Sequence, residues 1–379
     1  MKLLKLINLT YPVYNYVFLA LFSVMYITIA VNISYHSLKP FVNKKNKPFL
    51  IALAVIFNML PLFSIIDFIF RPTNIVLTTL ATLGYVYGML LIYYIVFFLI
   101  FSLIHLLFNK KNHSLVKAYL RRSTALVIGL VLIIYGLTAV QNPKVTKLSL
   151  GKGENNIKIV FLSDIHYSTT GSLLNLDKMV ERINNEKPDI VLLGGDIIDN
   201  RIRNINKEKF KKAMRNINTR YGIYAILGNH EILRNDFKTL KAFYDETNVH
   251  LLADSTVKID NKLLIVGRLD HKFERKALKD IMNNTSLPTI VLDHEPQDYK
   301  EAMENNVKLM LSGHTHNGQI FPFNYAVKIH YMTKYHTSYI NGLYQNNDFN
   351  CYISRGYGAW GFPMRTTGNS EIVTINFKY

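Results

Sequence analysis

The chain has 379 residues, of which 49% are apolar and 12% aromatic, so it is long enough for two domains and a large core. Its net charge is +18, but residues 1–140 hold 12 lysines or arginines and a single acid, Asp67. This uneven distribution favours contact with anionic lipid headgroups over a nucleic-acid surface, and we expect no nucleic-acid partner. Cys351 is the only cysteine, which excludes an internal disulfide and a cysteine-rich metal site.

The first 142 residues are predicted to form a membrane domain. A spanning helix needs about 20 apolar residues, and four runs of about this length or longer follow one another. The runs are Tyr11–Ile33, Pro48–Phe70, Ile75–Phe108 and Ser123–Val140. We therefore predict an α-helical, multi-pass transmembrane domain that anchors the chain in the cell membrane, with the lipid bilayer as a partner.

Basic residues between the apolar runs bear on orientation. The loops Ser34–Lys47 and Asn109–Arg122 together carry nine lysines or arginines, and the segments on the opposite side carry seven. Because the more basic loops tend to stay in the cytoplasm, this difference favours an extracytoplasmic position for both termini and for the domain after the helices. Asp67 lies near the end of an apolar run, and we interpret it as a structural residue at the interface.

Residues 143–156 contain Pro143 and the turn cluster Gly151–Asn156, which predict a polar linker. A second domain is predicted over residues 157–379. Apolar strand-like runs alternate there with amphipathic helix patterns, which predicts α/β layers. The helix candidates are Leu173–Asn185, Lys207–Ile217, Asn235–Thr247 and Lys276–Asn283, and the late strand candidates are Tyr352–Arg355 and Glu371–Phe377.

Five apolar runs in the second domain end in side chains that bind metals. The first run, Ile157–Leu162, is followed by Asp164 and His166, which point to the same face if the chain stays extended. Open α/β sheets place their sites in the loops at strand ends, so the side chains of several runs can converge. The other runs supply Asp196, Asn229, His230, His294, His314 and His316.

Carboxylate and imidazole ligands without a thiolate suit manganese, iron or zinc. The set is too large for one ion and predicts two divalent ions about 4 Å apart. Asp196 stands alone at its strand end, so it is the natural bridging carboxylate. Two such ions produce hydroxide from water at neutral pH and neutralise charge on a phosphoryl group, which is the chemistry of phosphoester hydrolysis.

The motifs follow the order Asp-x-His, Gly-Asp-x-x-Asp, Gly-Asn-His-Glu, a single His and Gly-His-x-His. They stand at Asp164–His166, Gly195–Asp199, Gly228–Glu231, His294 and Gly313–His316. This order resembles that of the calcineurin-like metallophosphoesterases of the bacterial membrane-associated type, over the domain from Ile157 onward. The resemblance implies a four-layer α/β/β/α sandwich and in-line attack on phosphorus by a hydroxide that bridges two metal ions.

The resemblance also implies a role for each site residue. One metal would be bound by Asp164, His166, Asp196 and His316. The other would be bound by Asp196, Asn229, His294 and His314. His230 would stay off the metals and protonate or stabilise the leaving oxygen.

Three polar residues near the motifs have two interpretations each. Asp199 either orients a site residue or caps the turn that follows it. Asp293, directly before His294, either orients an imidazole or is a strand-end acid without such a role. Arg268 follows an apolar strand and either faces the site or packs away from it.

The stretch Ser354–Arg365 alternates glycines with large aromatics. It is similar to a loop near the C-terminus of membrane-associated members of the family, which predicts a rim for the substrate. Arg355 or Arg365 would then pair with phosphate, and the bilayer or acyl chains would meet the aromatics Tyr357, Trp360 and Phe362. The alternative is an ordinary glycine-rich connection that packs its aromatics inward.

The function predicted from these observations is a membrane-anchored, metal-dependent phosphoesterase. Its substrate would contain a phosphodiester or pyrophosphate bond, and lipid-linked molecules are among the candidates. Two alternatives remain open: a phosphomonoesterase of the same fold, and a membrane sensor that binds metal without turnover. The sequence leaves the metal identity and the oligomeric state open.

Overall fold

A computed structural model describes residues 46–70, 73–108, 115–168 and 174–379. Three long apolar helices occupy the first part of this described chain, with 24, 34 and 27 residues, and each contains a stretch long and apolar enough to cross a membrane. They are α1 (Lys47–Phe70), α2 (Ile75–Phe108) and α3 (Leu115–Gln141). The predicted transmembrane region before the domain is therefore confirmed, while the first predicted run, Tyr11–Ile33, lies outside the described residues.

Helices α1 and α2 pack closely where their residues are small. A Cβ atom at Gly84 would lie 2.2 Å from the carbonyl oxygen of Leu60, so only glycine fits this contact. The hydroxyl of Ser64 donates to a backbone carbonyl of α2 at 2.8 Å. Asp67 accepts from the hydroxyl of Tyr85 at 3.3 Å, which agrees with the structural role inferred for this acid.

The rest of the chain is built on two six-stranded mixed sheets. The first sheet has the order β1-β12-β2-β3-β4-β5, in which β2 to β5 run parallel. Its strands are β1 (Lys144–Gly151), β2 (Asn156–Leu162), β3 (Ile190–Gly194), β4 (Ile223–Ile226), β5 (Val249–Leu251) and β12 (Glu371–Lys378). The second sheet has the order β10-β11-β9-β8-β7-β6, in which β7, β8, β9 and β11 run parallel. Its strands are β6 (Ser255–Ile259), β7 (Leu263–Gly267), β8 (Thr289–Leu292), β9 (Leu309–Ser312), β10 (Gly342–Asn346) and β11 (Phe349–Ile353).

Seven helices of four residues or more accompany these sheets in the described part of the domain. They are α4 (Leu176–Asn185), α5 (Lys207–Arg215), α6 (Asn229–Arg234), α7 (Phe237–Asp245), α8 (Leu278–Met282), α9 (Tyr299–Glu304) and α10 (Phe323–Lys334). The predicted helices therefore exist but are shorter, and two of them begin directly after a polar N-cap residue. Asn175 caps α4 by accepting from the N–H of Lys178, and Asp236 caps α7 by accepting from the N–H of Thr239.

Alternation along the strands divides the apolar side chains among three cores. In β2, Phe161 belongs to the core between the two sheets, whereas Val160 belongs to the core beneath α4, α5 and α7. In the second sheet, Val291 faces the helices α8 and α9, and its neighbour Leu292 faces the first sheet. The layers are helices, sheet, sheet and helices, so the predicted α/β/β/α sandwich is confirmed.

The predicted linker over residues 143–156 is wrong for most of its length. Lys144–Gly151 form strand β1, which pairs in parallel with β12 at the edge of the first sheet. Leu148 and Leu150 lie on the inner face, while Lys147 is largely exposed on the other. An edge strand that exposes one face has a polar composition, and this composition resembles that of a linker.

Contacts within the chain divide it into two compact units, Met1–Val131 and Leu132–Tyr379. The division falls inside α3, so the last turns of this helix belong to the second unit. There the carbonyl of Gly136 accepts from the N–H of Arg365 at 3.0 Å, and the carbonyl of Ala139 accepts from the N–H of Ser370 at 3.1 Å.

Candidate metal centre

The parallel strands carry every predicted metal ligand to one edge of the sandwich. Strands β2, β3, β4, β8 and β9 all point their carboxyl ends to this edge, where loops of open α/β sheets form sites. The predicted residues follow these strands directly: Asp164 and His166, Asp196, Asn229 and His230, His294, and His314 and His316.

Five of these residues have left-handed backbone conformations, which residues other than glycine rarely adopt. Their φ angles are between 50° and 69° in Asp164, His166, Asp196, His314 and His316. Each such residue costs about 1–3 kcal/mol and persists only where the surroundings hold it. The strand ends are therefore held in a costly backbone arrangement that directs the polar side chains inward.

A first ligand group consists of Asp164, His166 and His316, whose candidate ligand atoms lie within 4.8 Å of one another. The Nε2 atoms of the two histidines are 2.9 Å apart, and Nε2 of His316 is 3.3 Å from Oδ1 of Asp164. Burial and then neighbouring cationic groups lower the pKa of His166 to about 3, and they lower the pKa of His316 as well. Both imidazoles are thus neutral at pH 7, which is the form that binds metals.

A second ligand group consists of Asp196, His294 and His314. Nδ1 of His294 faces the carbonyl of Gly194 at 2.8 Å and so carries a proton, which leaves Nε2 as the lone-pair nitrogen 3.2 Å from Oδ2 of Asp196. Burial lowers the pKa of His294, but the Asp196 carboxylate outweighs it and raises that pKa well above its ordinary value. A cation, either a proton or a metal ion, is therefore stabilised between these two side chains.

Asn229 joins the second group through His314, because its Oδ1 lies 2.9 Å from Nδ1 of that imidazole. Burial lowers the pKa of His314 to about 4, with a further contribution from His294. Oδ2 of Asp196 is also 3.9 Å from Nε2 of His166 in the first group. Asp196 is thus the carboxylate that lies between the two groups, and the residues present fit a pair of divalent cations.

His230 lies beside both groups with its two nitrogens in different surroundings. Nδ1 is 2.7 Å from Oδ1 of Asp199, and Nε2 is 4.0 Å from Oδ2 of Asp196. Burial lowers the pKa of His230, but the charges of Asp196 and Asp199 outweigh burial and raise it. Asp199 therefore orients a site residue, and the imidazole of His230 is suited to hold a proton near neutral pH.

Glu231 is a site residue to which the sequence assigned no role. Its buried carboxylate accepts from the backbone N–H groups of Asp196, Ile198 and Gly228 at 3.1, 2.8 and 2.9 Å. Burial and then the charge of Asp196 raise the pKa of Glu231 to about 8. This side chain fixes the loop after β3 against the loop after β4, and its place in the Gly-Asn-His-Glu motif was the available signal.

Two glycines allow the ligand loops to approach each other. A Cβ atom at Gly313 would lie 1.8 Å from Oγ of Ser163 and 2.3 Å from Oδ2 of Asp164. A Cβ atom at Gly228 would lie 2.3 Å from Oδ1 of Asp196. Any larger residue would displace a candidate ligand, so these positions require glycine for space.

Arg355 and Arg365, the two arginines predicted to pair with substrate phosphate, differ in exposure. Arg365 is fully buried, and its guanidinium donates to the carbonyls of Gly358 and His316, both at 2.8 Å, and to the carbonyl of Arg355. Arg355 donates to the buried carboxylate of Glu371 at 2.9 Å. The guanidinium of Arg365 is thus used by backbone carbonyls that need donors. The Arg355 side chain is 28% exposed, and its contact with substrate phosphate stays a prediction.

Two aromatics of the loop Ser354–Arg365 agree with different interpretations, one with a connection that packs inward and one with an exposed rim. Tyr357 is buried in the core beneath the first sheet's helices, as the alternative interpretation expects. Trp360 is 40% exposed, and its ring lies edge-on to the ring of His230 at 5.4 Å between centroids. Gln319 holds the loop in place by accepting from the N–H of Trp360 and donating to the carbonyl of Phe362.

Asp293 and Arg268 pair with groups outside the ligand groups. Asp293 is buried and forms an ion pair with Arg275, so it does not orient a site imidazole. Arg268 pairs with Glu301 and donates to the carbonyl of Lys276. Both residues therefore stabilise the loops beyond the second sheet.

Comparison with known proteins gives the same family as the motifs. The family model described as calcineurin-like phosphoesterase matches residues 157–318. A metallophosphoesterase of Helicobacter pylori is 34% identical over 247 residues, which cover 61% of this chain and 62% of that protein. The chain therefore spans less than two thirds of the length of this relative.

Two further relatives extend the comparison. The metallophosphoesterase YkuE of Bacillus subtilis is 30% identical over 246 residues, which cover 60% of this chain and 80% of that protein. A Bos taurus protein named transmembrane protein with metallophosphoesterase domain is 31% identical over 288 residues, which cover 68% of this chain and 63% of that protein. With its ordered motifs, its α/β/β/α sandwich and its converging ligand groups, the chain belongs to the calcineurin-like phosphoesterase family.

Proposed function

We propose that this chain is a membrane-anchored phosphoesterase with two divalent metal ions. The observation that carries the proposal is the position of Asp196 between two ligand groups, with the imidazole of His230 beside them. Asp164, His166 and His316 would hold one ion, and His294, His314 and Asn229 would hold the other. Manganese, iron and zinc all suit these ligands.

Two bound ions would supply a nucleophile from water at neutral pH and neutralise the charge on the phosphoryl group. The protein's own contribution is orientation: imidazoles and carboxylates held at the strand ends would define where phosphorus can lie. His230 would donate a proton from Nε2 to the leaving oxygen, because Nδ1 is occupied by Asp199. Asp199 acts through His230 as a positioning residue.

We further propose a phosphodiester or pyrophosphate substrate at the membrane, with a lipid-linked molecule as the first candidate. The support is the coupling of a phosphoesterase domain to helices that can cross a bilayer. We also propose a multi-pass arrangement with the domain on the extracytoplasmic side, from the distribution of basic residues. Accessibility of a cysteine introduced at Lys262 to an impermeant maleimide in intact cells would test the sidedness.

The activity is tested with the full-length protein in detergent, stripped of metal and then given manganese or zinc. Bis-p-nitrophenyl phosphate and p-nitrophenyl phosphate distinguish diester from monoester cleavage. We expect metal-dependent cleavage that favours the diester, whereas preference for the monoester would identify a phosphomonoesterase. Two bound ions without turnover of these esters or of lipid-linked pyrophosphates would identify a metal-binding sensor.

Two variants show whether the assigned residues carry the reaction. Asp196→Asn should lose both bound metal and turnover, because its carboxylate lies between the ligand groups. His230→Asn should retain the metal and lower kcat by about 10²- to 10⁴-fold. Metal content by mass spectrometry separates the two effects, and undiminished turnover in His230→Asn would overturn the role given to this imidazole.

A further inference from the structure

Helix α10, Phe323–Lys334, has an apolar face that no described residue covers. Tyr325, Ile329 and Met332 follow at helical spacing and are 59%, 60% and 50% exposed. The opposite side packs inward through Tyr331, which is 5% exposed. We call Tyr325, Ile329 and Met332 the α10 face.

The α10 face is bordered by positive charge. Lys328 is exposed, stands next to Ile329 and precedes Met332 by four residues, so it lies along one side of the face. Lys334 is exposed at the end of the helix. The sequence from Asn305 to Asn347 contains no aspartate or glutamate. Phe323 in the first turn of α10 and Tyr339 after the helix are 46% and 45% exposed. A helix with exposed apolar residues, lysines and aromatics but no acid has the composition of a helix that lies in a membrane interface.

Helix α10 starts directly beside the metal centre. The turn that carries His316 ends at Gly318, where a Cβ atom would lie 2.3 Å from Cα of Asn324 in the first turn of α10. The N–H of Asn324 donates to the carbonyl of Ile320 at 3.1 Å. Whatever contacts the α10 face is therefore held next to the ligand groups.

We propose that the α10 face is a docking surface for the headgroup and upper acyl region of an anionic bilayer. A bilayer fits the observations because the same chain carries helices that can cross one, and because α10 carries two lysines and no acid, which complements anionic lipid. A second copy of the chain fits less well, since a helix without acids offers no opposite charge to the lysines of its copy. Three side chains also cover far less than the roughly 800 Å² per partner of a standard interface. The proposal concerns where the domain rests and does not depend on which phosphoester it cleaves.

The test uses the full-length protein reconstituted in phosphatidylcholine vesicles with and without phosphatidylglycerol. The native Cys351 is buried, so a bimane fluorophore can be attached selectively to the variant Ile329→Cys. The matched control is Lys262→Cys, in the exposed turn between β6 and β7 at the opposite ends of the strands. Brominated lipids and aqueous iodide serve as the two quenchers.

We expect brominated lipid to remove about half of the emission from position 329 in the anionic vesicles and to leave the control unchanged. Iodide should quench the control and spare position 329. Adding Lys328→Glu and Lys334→Glu to the Ile329→Cys variant should reduce the lipid quenching about twofold or more, because the anionic attraction is reversed. Retained metal-dependent hydrolysis, or retained metal content and melting temperature if no ester is turned over, shows that the labelled variants are folded.

Three results would overturn the proposal. Position 329 could be quenched by iodide as strongly as the control, which would mean that the α10 face is in water. It could be protected from both quenchers, which would mean that protein covers it. Its quenching could also change with the protein-to-lipid ratio alongside self-quenching of the fluorophore, which would identify a second copy as the occupant.

Discussion

His230 owes its raised pKa to the carboxylates of Asp196 and Asp199, which outweigh the effect of burial. Asp199 belongs to neither of the two ligand groups, although its carboxylate lies within 4.8 Å of candidate ligand atoms of His166 and His230. We therefore expect its exchange for Asn to disturb metal binding less than the loss of a ligand. In Asp199→Asn the pKa of His230 should fall, since one of the two stabilising charges is lost. A group that must be protonated loses activity as pH rises through its pKa, so the alkaline limb of kcat against pH should move to lower pH. We also expect kcat at pH 8 to drop about 10-fold or more.

The readout of this variant separates positioning from mere damage. Metal content should match that of the unmodified protein. The alkaline limb of kcat should move to lower pH, whereas general damage to the site would lower kcat by the same factor at every pH. Restoring the acid with Asp199→Glu should recover part of the shift. An unchanged alkaline limb would show that Asp199 does not control the protonation of His230.

Arg365 is the residue whose role changed most between sequence and structure. It is fully buried, and its guanidinium satisfies three backbone carbonyls, one of them that of His316. In Arg365→Met these carbonyls lose their donors, so we expect unfolding to become easier by about 3 kcal/mol. For a unit of this size the melting temperature should fall by about 6–12 °C. Metal affinity should fall as well, because His316 loses its support.

Arg220→Met provides the matched control, because the Arg220 side chain is 68% exposed and its ion pair with Asp260 is long, at 3.9 Å. Its melting temperature should stay close to that of the unmodified protein. Equal melting temperatures for the two variants would contradict the assigned structural role of Arg365.

At the scale of elements, the loops that follow β2 and β9 pack so closely that Gly313 has no room for a methyl group. Gly313→Ala would place its Cβ atom against Ser163 and Asp164, both part of the loop after β2. We expect this variant to lose the first bound ion and to lower kcat by at least about 10²-fold, since a displacement of 1 Å at a site has this effect. Mass spectrometry of metal content and steady-state kinetics provide the measurements.

Gly361→Ala is the control at the same scale. Its φ of 68° imposes backbone strain of about 1–2 kcal/mol, but no atom lies within 4 Å of the added carbon. It should bind metal normally. Full metal content in Gly313→Ala would show that the loops after β2 and β9 adjust more easily than their packing indicates.

At the scale of the whole molecule, metal binding should stabilise the second unit, Leu132–Tyr379, because every candidate ligand lies in it. A ligand that binds only the folded state at 100 times its dissociation constant adds about 2.7 kcal/mol. Chelation of the full-length protein should therefore lower the melting temperature of this unit by several degrees. The helical signal of the apolar helices should persist at that temperature. Differential scanning calorimetry together with circular dichroism makes the measurement.

Asp196→Asn should already melt at the lower temperature, and chelation should leave it almost unchanged. Re-addition of manganese or zinc should restore the melting temperature of the unmodified protein but should not raise that of Asp196→Asn. If chelation leaves the melting temperature of the unmodified protein unchanged, this result would contradict a shared metal centre in this unit.

The apolar pattern along the chain predicted α/β layers and the positions of the candidate ligands, whereas the four-layer sandwich followed from the family resemblance. Ligand side chains directly after buried apolar runs indicate strand ends, since a parallel sheet gathers its carboxyl ends at one edge. The long apolar runs likewise determined the three described membrane helices, because backbone groups in lipid must be satisfied within the segment.

Tertiary structure alone decided what each remaining polar group contacts. Arg365 and Asp199 stand in motifs that suggest either catalysis or structure, and only the fold shows that one meets carbonyls and the other meets His230. The same holds for β1, whose polar edge resembles a linker until it pairs with β12, 220 or more residues later in the chain. The apolar pattern is local and can be read along the chain, whereas hydrogen-bond partners are fixed by contacts between distant segments.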